Sequence, residues 1–432
     1  MTSEPTIISE AIGSLWTIVP VGVLLIIGEV LFRFRGVPGE ATRKLSHLGS
    51  GVVIFCMPWT VQSHWTVLAM STGFVLVLGG SKPLGLLPSI HAVGRKTSGA
   101  QYYPIAVYLI WLLAAGEALL FQIPIAVMAL SDTGAAVVGR RYGIVRYRVI
   151  EDYRSLGGSV TFFGLTFATV LLGLGLAGFG DLPQVLLITL LTALVTTAVE
   201  GISVRGADNL LVPYATFIMM RATMNATREG LGDWVLGTAL VLGLLLASFK
   251  QARLNATAFM ATFVGGTLAW GLGGPVWLAT LLVPYFAFAA TRASADTREA
   301  DLEVMVPAFA VSLVLVLAYG HLGATELFIP LVASAASVSS IALCSAARFR
   351  FRNLLVESAF AIFGAIIVLI PVGLMDVGFI VSPVGLLFAI GGSLLAPLFV
   401  RRVGARGWSP PALRLGGVLT GTSASLIWLA VL

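Results

Sequence analysis

Charge is scarce in this chain. Asp, Glu, Lys and Arg supply 11% of its 432 residues against 58% hydrophobic residues, and the mean hydropathy is +0.97. A soluble domain carries about 25% charged residues, so the deficit excludes a water-soluble globule and makes lipid the solvent. Cysteine is scarcer still. Cys56 and Cys344 stand singly in apolar runs, which excludes a disulfide framework and offers no metal-ligand spacing; both are expected to pack as small apolar residues. A Walker-type loop, a protein-kinase signature, HExxH and GxSxG are also missing, which excludes the standard soluble nucleotide folds.

What remains is a succession of apolar runs. They stay apolar for about 20 residues, the length a helix needs to cross the hydrocarbon, whereas barrel strands alternate with a period of two. The expected fold class is all-α, a polytopic transmembrane bundle of about 14 to 16 such spans. They include spans near residues 14–32, 48–62, 118–139, 355–375 and 379–400. The first is expected to stay as an anchor, because its leader is acidic at Glu4 and Glu10 and it ends in Arg33 and Arg35 without a small-residue cleavage site. With the N-terminus outside, all of the 26 Lys and Arg except Arg221 and Arg228 fall on one side, which the positive-inside rule makes cytoplasmic. The net charge of +6 is then a topology signal, with some affinity for anionic lipid head groups and nucleotides. Nothing calls for nucleic acid.

Two membrane modules are expected, residues 1–228 and 229–432, the second a degenerate parallel repeat of the first at an offset of eight spans. Arg43-Lys44-Leu45 before Trp59 and Trp65 is echoed by Arg253-Leu254 before Trp270 and Trp277. Leu120-Phe121 with Ile123-Pro124-Ile125 is echoed by Leu327-Phe328-Ile329-Pro330-Leu331. The acidic motifs belong to the first half alone, which leaves the second as a scaffold.

Asp132 stands inside one of the most apolar stretches. A carboxylate in lipid costs several kcal/mol unless it is paired or holds a cation, which marks Asp132 as a site residue. It lies about two turns before Arg140 on nearly the same helical face, and Gly134, Ala135, Ala136 and Gly139 keep that face thin enough for a helix or a ligand to approach. Arg43 and His47, four apart, share one face where the second span opens. With Lys44 they either suit anionic oxygens or mark a stop signal. Ser155-Leu156-Gly157-Gly158-Ser159 opens the sixth span, where free N–H groups and the positive helix end suit a phosphate, or where the serine caps the helix. Glu200 ends the seventh span and Asp208-Asn209 starts the eighth. Asp208 either caps that helix or joins Glu200, Asn209 and Asp132 around a Mg²⁺ that arrives with a nucleotide triphosphate.

In order, Arg43-Lys44-x-x-His47, Ser131-Asp132-x-x-Ala135-x-x-x-Gly139-Arg140-x-x-Gly143, Ser155-Leu156-x-Gly158-Ser159, Glu200 and Asp208-Asn209-Leu210-x-Val212-Pro213 resemble the CTP-dependent polyprenol kinase family. That family of integral membrane lipid kinases includes dolichol kinase and phytol kinase. The likeness covers about residues 40–220 and rests on five elements in fixed order; the long, acid-poor second half departs from the compact family pattern. The resemblance implies CTP as phosphoryl donor, Mg²⁺, and a long-chain isoprenoid alcohol as acceptor at the cytoplasmic membrane face. On this reading Asp132 and Asp208 hold the metal, supported by Glu200 and Asn209. Arg43, Lys44, Arg140, Arg141 and the backbone at Gly139, Gly157, Gly158 and Ser159 hold phosphates, and His47 or a carboxylate takes the hydroxyl proton. A diacylglycerol kinase or a phosphatidate cytidylyltransferase would share the nucleotide site and differ in the lipid groove. A lipid transporter or flippase would place polar residues near the midplane of both halves; here they cluster in one half and at one face.

Overall fold

Chain immersed in lipid must satisfy its backbone polar groups internally, and helices do so within each segment. The computed structural model, which describes residues 6–92, 97–150, 152–252, 254–293, 302–351, 353–374, 383–404 and 409–431, is almost wholly helical. Among the described residues ten helices are long and apolar enough to cross a membrane, and three shorter apolar helices accompany them. This is a multi-pass membrane protein of the all-α class. It divides into two compact units, Met1–Leu231 and Gly232–Leu432.

The first unit runs α1 (Ile7–Arg35), α2 (Gly39–Phe55), a 3₁₀ turn at Met57–Trp59, α3 (His64–Ser81), the short α4 (Pro88–His91), α5 (Gly99–Ala114) and α6 (Ala118–Tyr142). An antiparallel hairpin, β1 (Arg146–Val149) and β2 (Asp152–Ser155), leads into α7 (Leu156–Leu176), α8 (Leu182–Ile202) and α9 (Asp208–Met224). Helix α6 is the hub and packs on α2, α7 and α9. Its small residues make this possible. A side chain at Gly134 would run into Leu165 of α7, and a Cβ at Gly139 would stand 2.8 Å from Ser155 Oγ and 3.4 Å from the Gly158 Cα. On the α2 side, Gly51 lies directly against Ala129. Phe121, Ile125 and Met128 of α6 meet Ile110, Phe162 and Phe217 in a core with almost no exposure.

The second unit comprises α10 (Arg228–Ala252, entering from the end of the first), α11 (Ala256–Gly273), α12 (Pro275–Ala293), α13 (Leu302–Leu322), α14 (Phe328–Phe351), α15 (Leu354–Ile366), α16 (Leu369–Leu374), α17 (Pro383–Ser393), α18 (Leu395–Gly404) and α19 (Pro410–Val431). Its hub is α14, packed on α12, α15, α17 and α19. The α14 residues Ser334, Ser337, Ser339 and Ser340 are buried and bonded, Ser334 to Ser312 Oγ at 2.8 Å and Ser340 to the Ala361 carbonyl at 2.9 Å. This unit also holds a buried carboxylate that the sequence reading passed over, Glu357, 3.9 Å from Arg401.

Two expectations need correction. The second span is helical from Gly39 rather than residue 48, because the polar turn carrying Arg43, Lys44 and His47 is part of the helix, and it stops at Phe55, just before Pro58. The segment between Arg140 and the start of α7 is not an irregular connection: it contains the hairpin. The spans near 355–375 and 379–400 do appear, as Leu354–Val372 and Val384–Val403, each long and apolar enough to cross a membrane although its helix breaks between α15 and α16 or between α17 and α18; residues 375–382 lie outside the described residues. Of the basic residues counted for topology, Arg95, Lys96, Arg253, Arg298, Arg352 and Arg406 are outside the described residues, and with Arg253 goes one end of the proposed repeat.

Gly51→Ala is expected to cost on the order of 1–3 kcal/mol of stability, read as a lower melting temperature in detergent, since an overpacked helix crossing must move apart. Gly73→Ala, with nothing within 4 Å of its new methyl group, should not lower it. Equal melting temperatures for the two would contradict the α2–α6 contact.

Candidate active site

At one end of the first unit the N-termini of α2, α5, α7 and α9 meet the C-termini of α6 and α8. Between them is a cleft of about 300 Å³ that opens to solvent, lined by Lys44, Asp132, Arg140, Arg154, Glu200 and Asp208. Gly139, Gly158 and Ser159 also face it. Asp132, Glu200 and Asp208 each have a cation. Lys44 Nζ donates to Asp132 Oδ2, with both side chains close to 14% exposed, and lies 3.4 Å from the Asp132 carbonyl oxygen. Arg154 pairs with Glu200 Oε1, reaches Asp208 Oδ2 at 3.5 Å and donates to the Ser203 carbonyl at 3.0 Å. Desolvated pairs of this kind are held by good geometry and are costly to break from one side.

Behind Asp132 stands His47. Its Nε2 is 3.7 Å from Asp132 Oδ2 and 3.3 Å from the Met128 carbonyl oxygen, and its ring lies 4.9 Å from that of Tyr103. His47 borders a second cavity on the far side, a narrow apolar chamber between the α1–α2 pair and the α3–α5 pair. Arg43 and Asn209 belong to the mouth of this chamber rather than to the charged cleft. The Asn209 amide donates to the Gly99 carbonyl at 2.8 Å and an Arg43 guanidinium nitrogen lies 3.5 Å from Thr97 Oγ1. Gly99 has no room for a side chain, since a Cβ would come within 2.6 Å of Arg43 and 2.7 Å of Asn209; the facing Gly206 adopts φ +85° as the α8–α9 turn closes on it.

The remaining expected residues sort plainly. Asp208 does not cap α9: Ala207 is the N-cap, and the Asp208 carboxylate turns to Arg154 and to the Asn209 N–H at 3.1 Å. The start of α7 is occupied by the chain's own acceptors. Gly158 N–H donates to Ser155 Oγ at 3.1 Å and Leu156 N–H to the Val145 carbonyl at 2.9 Å, so the serine caps the helix. Gly157 does not line the cleft, and Ser159 bonds to Tyr147 at 2.8 Å. Arg140 is exposed at the rim, while Arg141 lies over the Tyr142 ring at 5.5 Å.

The sequence reading missed Arg154, which ties Glu200 and Asp208 together from the hairpin. A signal was present: Arg146-Tyr147-Arg148-Val149 and Asp152-Tyr153-Arg154-Ser155 are short period-two runs joined by two residues, a hairpin pattern, and in the register Val149 pairs with Asp152 and Arg146 with Ser155.

The charge balance bears on what can bind. Five carboxylates line the cleft (Glu40, Asp132, Asp152, Glu200, Asp208) against four cations (Lys44, Arg140, Arg146, Arg154). A bare polyphosphate would meet net negative charge there, whereas one carrying a divalent ion would find both carboxylate oxygens and arginines. Among the described residues no group of three or more His, Cys, Asp or Glu side chains can hold a metal unaided. The donor set therefore fits Mg²⁺ bound as that ion prefers, through one or two carboxylates plus phosphates, rather than a metal caged by protein alone.

Removing one partner of the second cluster exposes its cost. Arg154→Met strands Glu200, whose side chain is 4% exposed, and should destabilise the protein by about 3–5 kcal/mol; adding Glu200→Gln should restore part of that loss. Thermal unfolding in detergent that found Arg154→Met neutral would contradict the assignment.

No family model and no solved structure matches the chain. A stretch of 202 residues is 31% identical to a phytol kinase of Synechocystis sp., covering 46% of this chain and 85% of that protein. Similarly, 199 residues are 29% identical to a probable chloroplastic phytol kinase 1 of Glycine max, covering 40% of this chain and 64% of that protein. With that identity extending over most of the Synechocystis protein, the chain belongs to the phytol kinase group of polyprenol kinase-like membrane proteins.

Proposed function

We propose that the first unit is a lipid-alcohol kinase that transfers the terminal phosphate of CTP to the hydroxyl of a long-chain isoprenoid alcohol at the cytoplasmic membrane face, with the second unit as scaffold. One adjacency carries the reading. The charged cleft and the apolar chamber lie back to back, and Asp132 and His47, 3.7 Å apart, form the wall between them. A water-soluble donor and an oil-soluble acceptor need such neighbouring compartments.

In the reaction the alcohol oxygen bonds to the terminal phosphorus, the bond from phosphorus to the bridging oxygen breaks, and CDP leaves with that electron pair. Such transfers rest on positioning and charge neutralisation rather than covalent chemistry. Lys44, Arg140 and Arg154 face the cleft and hold phosphate oxygens, Lys44 by moving from Asp132 to the nucleotide. Asp132 and Asp208 would hold Mg²⁺, which when bound neutralises charge on the phosphates. Glu200 keeps Arg154 in place. His47 takes the hydroxyl proton. The Met128 carbonyl only accepts, so the ring's proton sits on Nε2 and Nδ1 is left basic; Asp132, near Nε2, then stabilises the imidazolium. Sidedness follows from the cations gathered at the cleft end, Lys44, Arg140, Arg146, Arg154 and Arg205, which favour the cytoplasm and leave the N-terminus outside.

Purified protein in detergent with Mg²⁺ and terminally labelled CTP, offered farnesol, phytol, long polyprenols and diacylglycerol, should place label on an isoprenoid alcohol. Asp132→Asn and Asp208→Asn, checked for monodispersity, should each lower the rate by about 100-fold or more. Label only on diacylglycerol would replace the acceptor, and full turnover in both variants would reject the site.

A further inference from the structure

We infer that the apolar chamber is the seat of the acceptor's hydrocarbon tail and that its closed floor sets the length of tail accepted; the inference rests on the reading of the site as a lipid-alcohol kinase. The chamber begins at Arg43, His47, Gly99 and Asn209, the end that borders the catalytic wall. From there its lining descends along α2 through Ser46, Ser50 and Ile54 to Met57. The opposite wall comes from α3 and α5, through Leu78, Phe74, Ser71 and Tyr103. Polar groups are confined to the mouth apart from single hydroxyls, so a hydroxyl is steered to His47 and a hydrocarbon away from it.

The floor is sealed. Met57, Val67, Thr17 and Val107 close it, each at most 4% exposed. Behind them the Glu10 carboxylate accepts from the Gln62 and Ser63 N–H groups at 2.9 and 3.2 Å, which pins the turn between α2 and α3 against α1. Depth follows from the helix rise. Arg43 to Ile54 spans about 17 Å at 1.5 Å per residue, with Met57 just beyond, so the chamber reaches on the order of half of a hydrocarbon layer about 30 Å thick. That depth matches one extended chain of roughly phytol length, and the whole of a long polyprenol exceeds it.

Small side chains keep the space open. Ser46 and Ser50 on α2, Ser71 on α3 and Gly99 and Ala100 on α5 face it, and α2 packs on α1 and α6 while α3 packs on α5. Along the seam between α1 and α3, which touch only sparsely, a tail can enter sideways from the bilayer.

The test has two arms on the full-length protein in detergent. First, a phytol analogue with a diazirine near its tail end is photolysed with the wild type, with and without excess phytol, and labelled peptides are mapped. Competed label within residues 54–74 or 104–107 is expected; label confined to lipid-facing side chains outside the chamber would overturn the proposal. Second, kcat/KM is measured for farnesol, phytol and a longer, five-isoprene-unit alcohol in Ser71→Phe and Val67→Ala. Ser71→Phe should lower the phytol-to-farnesol ratio about tenfold, and Val67→Ala should raise the rate on alcohols longer than phytol, in keeping with what a methylene-scale change in an apolar pocket discriminates. Equal losses on both alcohols in Ser71→Phe, with unaltered preference in Val67→Ala, would overturn the ruler. If the wild type phosphorylates no alcohol while competed label still maps to the chamber, the kinase reading fails and the tail site stands.

Discussion

The contact on which the first unit depends is the ion pair between Lys44 on α2 and Asp132 on α6. An unpaired carboxylate within the apolar end of a spanning helix would be expelled or neutralised; paired to Lys44, it becomes a fixed anion at the junction of two helices. Much else follows from that crossing. Gly51 lets α2 approach Ala129, Lys44 turns to the charged side of the helix, and the face bearing Arg43, Ser46, His47 and Ser50 turns to the apolar side. One helix thereby separates water-borne from lipid-borne chemistry.

A second cluster stabilises the opposite wall by a different device. Glu200 and Asp208 come from helices joined by a tight turn through Arg205 and Gly206, both with positive φ, and two buried carboxylates so close require a shared cation. Arg154 supplies it from the hairpin. The hairpin is thus the strap that brings the end of α8 and the start of α9 to the cleft. Because the two clusters together hold more acid than base, the cleft suits a polyphosphate that arrives with its own divalent ion.

Much of this was legible from residues alone, and what was not has a physical cause. Composition and run length dictate a helical membrane protein, and burial cost singles out Asp132. The order of motifs brings Lys44, His47, Glu200 and Asp208 into one neighbourhood. The direction of each side chain is harder, because it depends on partners distant in sequence: Asn209 is committed to the carbonyl of Gly99, and Arg43 to the same corner. The string Ser155 to Ser159 admits a phosphate cradle or a cap, and the choice is made by Ser155 Oγ and by Val145 in the hairpin. A run of charged residues between two spans says little about what its side chains contact, and Arg154 lay in such a run. A cavity leaves no mark in sequence beyond a few serines among apolar residues, so the chamber could be seen only once four helices were assembled.

The central claim is that Lys44, Asp132, Arg154 and Asp208 surround one metal–nucleotide complex. Electron cryo-microscopy of the protein with Mg²⁺ and a non-hydrolysable CTP analogue tests it most directly. The account predicts triphosphate density within the cleft, between the α2–α6 pair and Arg154, with the terminal phosphate toward His47. Nucleotide density elsewhere on the molecule, or a cleft that remains closed by its own ion pairs at saturating nucleotide, would contradict it.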